Sequence, residues 1–272
     1  MIILNGREVE FKQFPNGELH LDGEQVYSNL SMFTNNVVLF KYENDSDLIK
    51  LMVLKRYIDE EKTAPTVLLI TYMPYSRMDR QESDTVFTLK YVAEFINQMN
   101  FHTVYVHEPH SDVTPALLNN CITVDLTTHL FEKVVDKIGF DKERDFVFYM
   151  DAVDQKKYSK KVDCRSLVGF KDKEDLKIIG QISLFHKVII LTDLCDKGED
   201  FVQVAEKLKY MGAGEIYLVA GHCEDTIFEG AIPNSDFIEK VFTTDSIISE
   251  SKHDKVEVTI QLGGTVNVDQ AN

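Results

Sequence analysis

Short runs of aliphatic and β-branched residues return along the chain with room for one amphipathic helix between them. That rhythm limits the fold more than any other feature. Residues 37–40 (VVLF), 67–71 (VLLIT) and 103–106 (TVYV) read as strands in the first half, and 146–150, 167–170, 188–191 (VIIL), 216–220 (IYLVA) and 241–243 in the second. Between them lie helical patterns. Asp45, Ser46 and Asp47 offer caps to a helix with Leu48, Leu51, Met52, Lys55 and Ile58 on one face. Leu89, Val92, Ala93, Ile96 and Met99 mark a second helix, and Phe201, Val204, Ala205, Leu208 and Met211 a third that Gly212 stops. Strands alternating with helices predict an α/β fold with mostly parallel sheets.

The chain also echoes itself. Residues 91–110 (YVAEFINQMNFHTVYVHEPH) align without gaps on 203–222 (QVAEKLKYMGAGEIYLVAGH). The matches Val92/Val204, Ala93/Ala205, Glu94/Glu206, Met99/Met211, Tyr105/Tyr217 and His110/His222 include polar and rarer residues as well as apolar ones. Any two βαβ units share a hydrophobic pattern, but not these positions. Two similar α/β domains are expected, residues 1–143 and 144–272, with the boundary in FDKERDF.

With 45 Asp and Glu against 29 Lys and Arg, the chain carries a formal net charge of −16. A nucleic-acid binder needs a basic stripe for phosphates, so nucleic acid is not the expected partner. An anionic membrane surface is excluded on the same ground. No apolar run approaches the roughly 20 residues that span a bilayer, and the N-terminus MIILNGREVEFKQF lacks the pattern of a secretory leader. Cys121, Cys164, Cys195 and Cys223 show no C-x-x-C spacing, which fits reduced thiols in a cytoplasmic protein. A small phosphorylated ligand stays open, because a few local cations or Mg²⁺ can reverse the field inside a cleft.

In open α/β sheets ligands bind at the carboxyl ends of strands, so the loops there matter most. VIILTDLCDKGED (188–200) delivers Asp193 and Asp196 to the start of a helix, where carboxylates can hold sugar hydroxyls or Mg²⁺, or simply cap the helix. TYMPYSRMDRQESD (71–84) sets Arg77 and Arg80 among Tyr72, Pro74 and Tyr75, a mixture suited to a nucleotide and equally to an exposed loop. VYVHEPHSD (104–112) ends on His107 and His110; His110 is placed to meet a metal or a phosphate oxygen. MDAVDQKKY (150–158) offers Asp151 and Asp154 to Mg²⁺ and Lys156 and Lys157 to phosphates. GFKDK (169–173) offers Lys171 and Lys173 to transferring phosphates, against a solvated surface as the plainer reading. G-x-x-x-x-G-K-[ST], G-x-G-x-x-G and G-x-S-x-G are all missing.

In this order the loops resemble ribose-phosphate pyrophosphokinase, the phosphoribosyl-diphosphate (PRPP) synthetase family, over roughly residues 11–250. FPNGELHLD (14–22) is similar to the family's F-S-D-G-E segment, PYSRMDRQ (74–81) to Y-A-R-Q-D-R-K and HEPHSD (107–112) to D-L-H. MDAVDQKKY (150–158) is similar to P-D-x-G-G-x-x-R-A, FKDK (170–173) to the flexible-loop K-x-R, TDLCDKGED (192–200) to D-D-x-x-D-T-x-G-T and TTDSI (243–247) to T-N-S-I. The resemblance implies two phosphoribosyltransferase-like domains and transfer of the β,γ-diphosphate of Mg·ATP to a ribose 1-hydroxyl. It also implies assembly into a homo-oligomer. It places Arg77 and Arg80 at ATP, His110 and Asp151 at Mg²⁺ and the phosphates, and Lys171 and Lys173 at the transferring group. Asp193, Asp196, Lys197 and Gly198 fall on the acceptor loop.

The departures from the family pattern concern that loop most. Its first aspartate is Thr192, and D-T-x-G-T reads Asp196-Lys197-Gly198-Glu199-Asp200. Two hydroxyl residues are lost and two carboxylates gained, which repel a phosphate monoester. The adenine-side glutamine is Met78, and the stretch after Gly263 is too short for the helix the family usually carries. ADP-ribose, giving ADP-ribose pyrophosphate for NAD resynthesis, is therefore the expected acceptor, with ribose 5-phosphate, giving PRPP, as the alternative. A phosphoribosyltransferase needs the same 5-phosphate pocket and leaves Arg77, Lys171 and Lys173 unexplained as a set. An inactive regulatory relative would not be expected to keep His110, Asp151, Lys171, Asp193 and Asp196 together.

Overall fold

The computed structural model describes residues 1–82, 84–172 and 175–262. Its contacts divide the chain into two units, Met1–Val124 and Asp125–Gln261.

In the first unit β1 (Ile2–Leu4) turns directly into β2 (Arg7–Glu8). The turn residues Asn5 and Gly6 both have positive φ, +50° and +83°, the arrangement that an Asn-Gly hairpin favours. β3 (Phe11–Gln13) and β4 (Leu19–Leu21) form a separate two-stranded ribbon, and α1 (Gly23–Tyr27) follows, capped by Asp22. The α/β repeat then begins: β5 (Asn36–Phe40), α2 (Ser46–Glu60), β6 (Thr66–Ile70), α3 (Thr88–Asn97), β7 (Thr103–His107), α4 (Val113–Leu117) and β8 (Cys121–Val124). The sheet order is β2-β1-β5-β6-β7-β8, with β5 to β8 parallel and β1 antiparallel to β5. Every residue of β6 is buried, as expected for a parallel strand covered on both faces. Leu51, Leu54 and Ile58 of α2 and Leu89, Ala93 and Ile96 of α3 pack into the same core. Each of the large side chains contributes about 2 kcal/mol relative to exposure.

The second unit opens with α5 (Leu126–Ile138), capped by Asp125 and stopped by Gly139 at φ +60°. It continues with β9 (Phe146–Tyr149), α6 (Ala152–Val162), β10 (Arg165–Asp172), β11 (Asp175–Ile179), β12 (Val188–Cys195), α7 (Glu199–Tyr210), β13 (Ile216–Cys223), β14 (Lys240–Thr244) and β15 (Val256–Ile260). The sheet order is β11-β10-β9-β12-β13-β14-β15, and only β11 runs antiparallel to its neighbour. Its core centres on Phe148, Ile190, Leu218 and Val241 from the strands and Val204, Ala205 and Leu208 from α7.

The fold is the expected α/β class with mostly parallel sheets. The contact boundary falls between Val124 and Asp125, ahead of the 143/144 boundary expected from sequence. The reason is α5: Leu130, Phe131 and Val134 are buried, Lys137 pairs with Glu257, and Lys187 donates to the Ile138 carbonyl. The sequence echo is carried by topology. β6-α3-β7 and β12-α7-β13 hold the same place in β5-β6-β7-β8 and β9-β12-β13-β14. It stops at the histidines, since His110 lies beyond the end of β7 and His222 lies inside β13.

Candidate functional site

At the carboxyl edge of the first unit, the loops after β5, β6 and β7 are joined by side chains. Asp47 is buried; its Oδ2 accepts from the backbone N–H of Glu43 (3.0 Å) and Asn44 (3.1 Å), and its Oδ1 accepts from Lys50 Nζ at 2.7 Å. Beside it, Asp45 Oδ1 accepts from the hydroxyls of both Tyr42 and Tyr75, each at 2.5 Å. Tyr75 belongs to the loop after β6, so this carboxylate links two loops. The tyrosine rings lie 6.3 Å apart, and Tyr75 holds a φ of +62° that a non-glycine residue adopts only when its surroundings require it. The Tyr42 and Tyr75 hydroxyls hold the Asp45 carboxyl below its ordinary pKa. Burial first, then the bond to Asp45, raises Tyr42.

A second tie joins the loops after β6 and β7. Asp79 is 4% exposed and accepts from Ser111 Oγ at 2.6 Å and Arg80 Nε at 3.0 Å. Burial pushes its carboxyl up, but the bonds from Ser111 and Arg80 and the charges of Arg80 and His110 outweigh it, and the pKa is lowered. Arg80, expected at ATP, thus bonds this buried carboxylate, and His110, expected at the phosphates, acts on it by charge. Arg77 is exposed on the same loop. Asp79 and Ser111 were not marked by the sequence reading, and Asp45 and Asp47 were marked only as helix caps; the visible signal for Asp79 was an acid flanked by the two arginines of its loop.

In the second unit Asp151 follows β9 and caps α6: its Oδ1 accepts from Val153 N at 2.8 Å and Asp154 N at 2.9 Å, and it is exposed. Asp193 is not a cap. It sits on β12, 8% exposed, with Lys157 Nζ of α6 at 4.0 Å from its Oδ2. Asp196 follows the strand. The N-cap position of α7 is Gly198, not Asp193, Asp196 or Asp200, and there is no side-chain cap bond. Gly198 has φ +83°, and a Cβ there would meet Ile232 Cδ1 at 2.4 Å. The Lys197 carbonyl accepts from Ala231 N at 3.0 Å, pinning the turn. The glycine that the family pattern sets at position 199 thus stands one residue earlier. Lys197, Glu199 and Asp200 are exposed, the two acids on the first turn of α7.

Lys171 lies on β10 opposite Leu176 of β11, in the antiparallel hairpin at the sheet edge. Lys173 falls outside the described residues. His222 Nδ1 lies 2.6 Å from Ser246 Oγ in a buried pair that ties β13 to the chain after β14. The four cysteines are free, and burial raises Cys121 and Cys164 to about 11, away from thiolate chemistry. A cavity of about 680 Å³ lies away from these loops, lined by Asn97, Asn100, His102 and Asn119 among others, and holds no motif residue.

Among the described residues no three His, Cys, Asp or Glu side chains gather as a metal cage, and no helix is long and apolar enough to cross a membrane. A cage is not what Mg²⁺ needs. It is commonly held by one or two carboxylates together with substrate phosphates. Asp151 supplies an oxygen donor of that kind; the His110 imidazole is a poorer donor for so hard a cation and suits a phosphate oxygen better.

No family model matches the chain. Similar proteins are nonetheless found along most of its length. The ribose-phosphate pyrophosphokinase of Pyrococcus abyssi is 23% identical over 273 residues, covering 94% of this chain and 90% of the relative. That of Saccharolobus solfataricus is 22% identical over 231 residues, covering 79% and 76%. Among solved structures, phosphoribosylpyrophosphate synthetase from Mycobacterium smegmatis superimposes with a TM-score of 0.72 at 15% identity, over 93% of this chain and 86% of the other. Over most of its length the chain is thus similar in sequence to ribose-phosphate pyrophosphokinases and shares the fold of a phosphoribosylpyrophosphate synthetase.

Proposed function

We propose that the chain is a diphosphotransferase that moves the β,γ-diphosphate of ATP to the 1-hydroxyl of a 5-substituted ribose, with ADP-ribose as the favoured acceptor. The transfer itself is supported by the names of the relatives and by the ordered loops. Arg77 and Arg80 would bind ATP, and Asp151 with the nucleotide phosphates would hold Mg²⁺, which supplies charge neutralisation at the transferring group. His110, next to Ser111 that bonds Asp79, would meet a phosphate oxygen. Lys171 and Lys173 would offset charge that develops during transfer, and Asp193 would accept from ribose hydroxyls. Such a reaction depends on positioning and electrostatics more than on covalent chemistry.

One observation carries the choice of acceptor. Glu199 and Asp200 occupy the first turn of α7, directly after the N-cap Gly198. A helix start normally favours an anion, and two carboxylates there oppose a phosphate dianion. A ribose with a longer 5-substituent can carry its charge past that turn. Ribose 5-phosphate is the second reading, favoured by the relatives' name. The test is to incubate the protein with Mg·ATP and either sugar and follow AMP and a diphosphorylated acceptor by mass spectrometry. Product with ADP-ribose alone supports the favoured acceptor, and product with ribose 5-phosphate at equal or better efficiency overturns it. AMP release with neither sugar overturns the transfer.

A further inference from the structure

Asp45 holds the N-cap position of α2, yet its side chain makes no cap bond. Asn44 Oδ1 takes the Ser46 N–H instead, at 3.1 Å. The Asp45 carboxylate turns away from its helix, and its Oδ1 accepts two phenol hydroxyls at 2.5 Å, the length of a charge-assisted bond. The two donors differ in reach. Tyr42 is three residues away on the same loop, whereas Tyr75 is thirty residues away on the loop after β6. Tyr75 also holds the left-handed φ of +62°, which glycine adopts most easily, so a bulky side chain there needs something to hold it.

Tyr75 opens the turn that carries Arg77. Its carbonyl accepts from Met78 N at 3.0 Å, and the Met78 carbonyl accepts from Leu89 N of α3 at 3.3 Å. The neighbouring side chains are fixed: Met73 and Ser76 are 1% exposed and Asp79 is 4% exposed. Rotation about the Tyr75 backbone is therefore the soft point through which the turn can shift Arg77, and the bond to Asp45 closes it. We propose that Tyr75 is a positioning residue: its hydroxyl, held by Asp45, presets the turn at residues 75–78 so that Arg77 and Arg80 meet nucleotide phosphates without first being ordered. The inference rests on the proposed placement of ATP at those arginines, and not on the identity of the acceptor. An arginine already in place loses less freedom when the ligand arrives, and the saving appears as affinity.

The experiment compares Tyr75→Phe with Tyr42→Phe, which deletes the same hydroxyl at the same distance from the same oxygen, but within one loop. Calorimetry with Mg·ATP and no sugar should show Tyr75→Phe binding about tenfold more weakly, the scale of a hydrogen bond to a charged group, and Tyr42→Phe within about twofold of the unsubstituted chain. Asp45→Ala should lose as much as Tyr75→Phe, and the double variant no more than either, because one bond is removed twice. Amide exchange in the ligand-free chain should quicken at residues 76–80 in Tyr75→Phe and not in Tyr42→Phe. Equal losses of ATP binding in the two Phe variants would make the cluster merely structural, and undiminished binding by Tyr75→Phe would detach it from the arginines; either result overturns the inference. If the unsubstituted chain binds no ATP, the placement of ATP falls, and amide exchange still decides on Tyr75. Quickening confined to Tyr75→Phe supports its hold on the turn, and equal exchange in both variants overturns it.

Discussion

The two units solve the same problem, presenting polar groups at the carboxyl edge of a parallel sheet, by different means. In the first unit β5, β6 and β7 are five residues each and the polar groups sit beyond them, so carboxylates tie loop to loop: Asp45 holds Tyr75, and Asp79 holds Ser111. In the second unit β12 and β13 run for eight residues, and the backbone ladder itself carries Asp193 to the edge. A side chain on a strand is placed more accurately than one on a loop. On the proposed function, the second unit would hold the reacting sugar and the first the nucleotide.

The sharpest way to break this division is at Lys171. If the second unit handles the transferring group, Lys171→Ala should lower kcat by about 10²- to 10³-fold, the effect of removing one charge-stabilising group, while ATP still binds. Single-turnover kinetics beside nucleotide binding would show the split. A near-normal kcat would remove Lys171 from the site and weaken the assignment of transfer to this unit.

The backbone of the acceptor turn is the next point of attack. Gly198 combines φ +83° with close approach to Ile232. Gly198→Ala should cost about 1–3 kcal/mol, read as a lower melting temperature and faster amide exchange in α7. An unchanged melting temperature would mean that the turn relaxes freely and does not fix Asp196 and Lys197.

For the first unit the corresponding point is Asp47, and its signature is acid dependence. Burial raises its carboxyl, but Lys50 and the backbone N–H groups of Glu43 and Asn44 hold it below its ordinary value. A depressed folded-state pKa adds stability that is complete above the unfolded value, about 3.9 for aspartate, and is lost as pH falls through the folded value. Asp47→Asn should therefore cost about 1–2 kcal/mol near neutral pH, with the gap to the unsubstituted chain closing below about pH 4. A gap independent of pH would mean that shape and not charge anchors the loop.

What the sequence made legible follows from where each feature gets its signal. The long parallel strands were visible because both of their faces are buried and nearly every position is apolar, as in VLLIT and VIIL. The helices with continuous apolar stripes, α2, α3 and α7, were visible by period. α5 carries an equally regular stripe in Leu126, Leu130, Phe131 and Val134 and was passed over, which displaced the expected boundary. β1 to β4, β8, β11 and β15 are short or lie at or near sheet edges, where exposure dilutes the pattern. For the candidate site, charged residues after buried strands drew attention to the carboxyl ends of the parallel strands. The ties among Asp45, Tyr75, Asp79 and Ser111 depend on contacts between separate loops, and spacing along the chain does not record them. The glycine of the acceptor turn is a subtler case: its type was readable, but its place at 198 is fixed by Ile232, far away in sequence.

The smallest predicted effect bears on that turn and decides what the acidic helix start is for. Glu199→Gln with Asp200→Asn removes two charges at nearly constant shape from exposed positions on the first turn of α7. Each such charge is worth about 0.3–1 kcal/mol near a helix start. The pair should then raise kcat/KM for ribose 5-phosphate by about three- to thirtyfold on that scale. ADP-ribose should change less, because its charge lies further along the substituent. The gain should shrink with added salt, since the acids are exposed and screened. An equal change for both acceptors would make the acids a general brake on anions. No change for either would move acceptor choice away from this turn and onto the strand-borne Asp193.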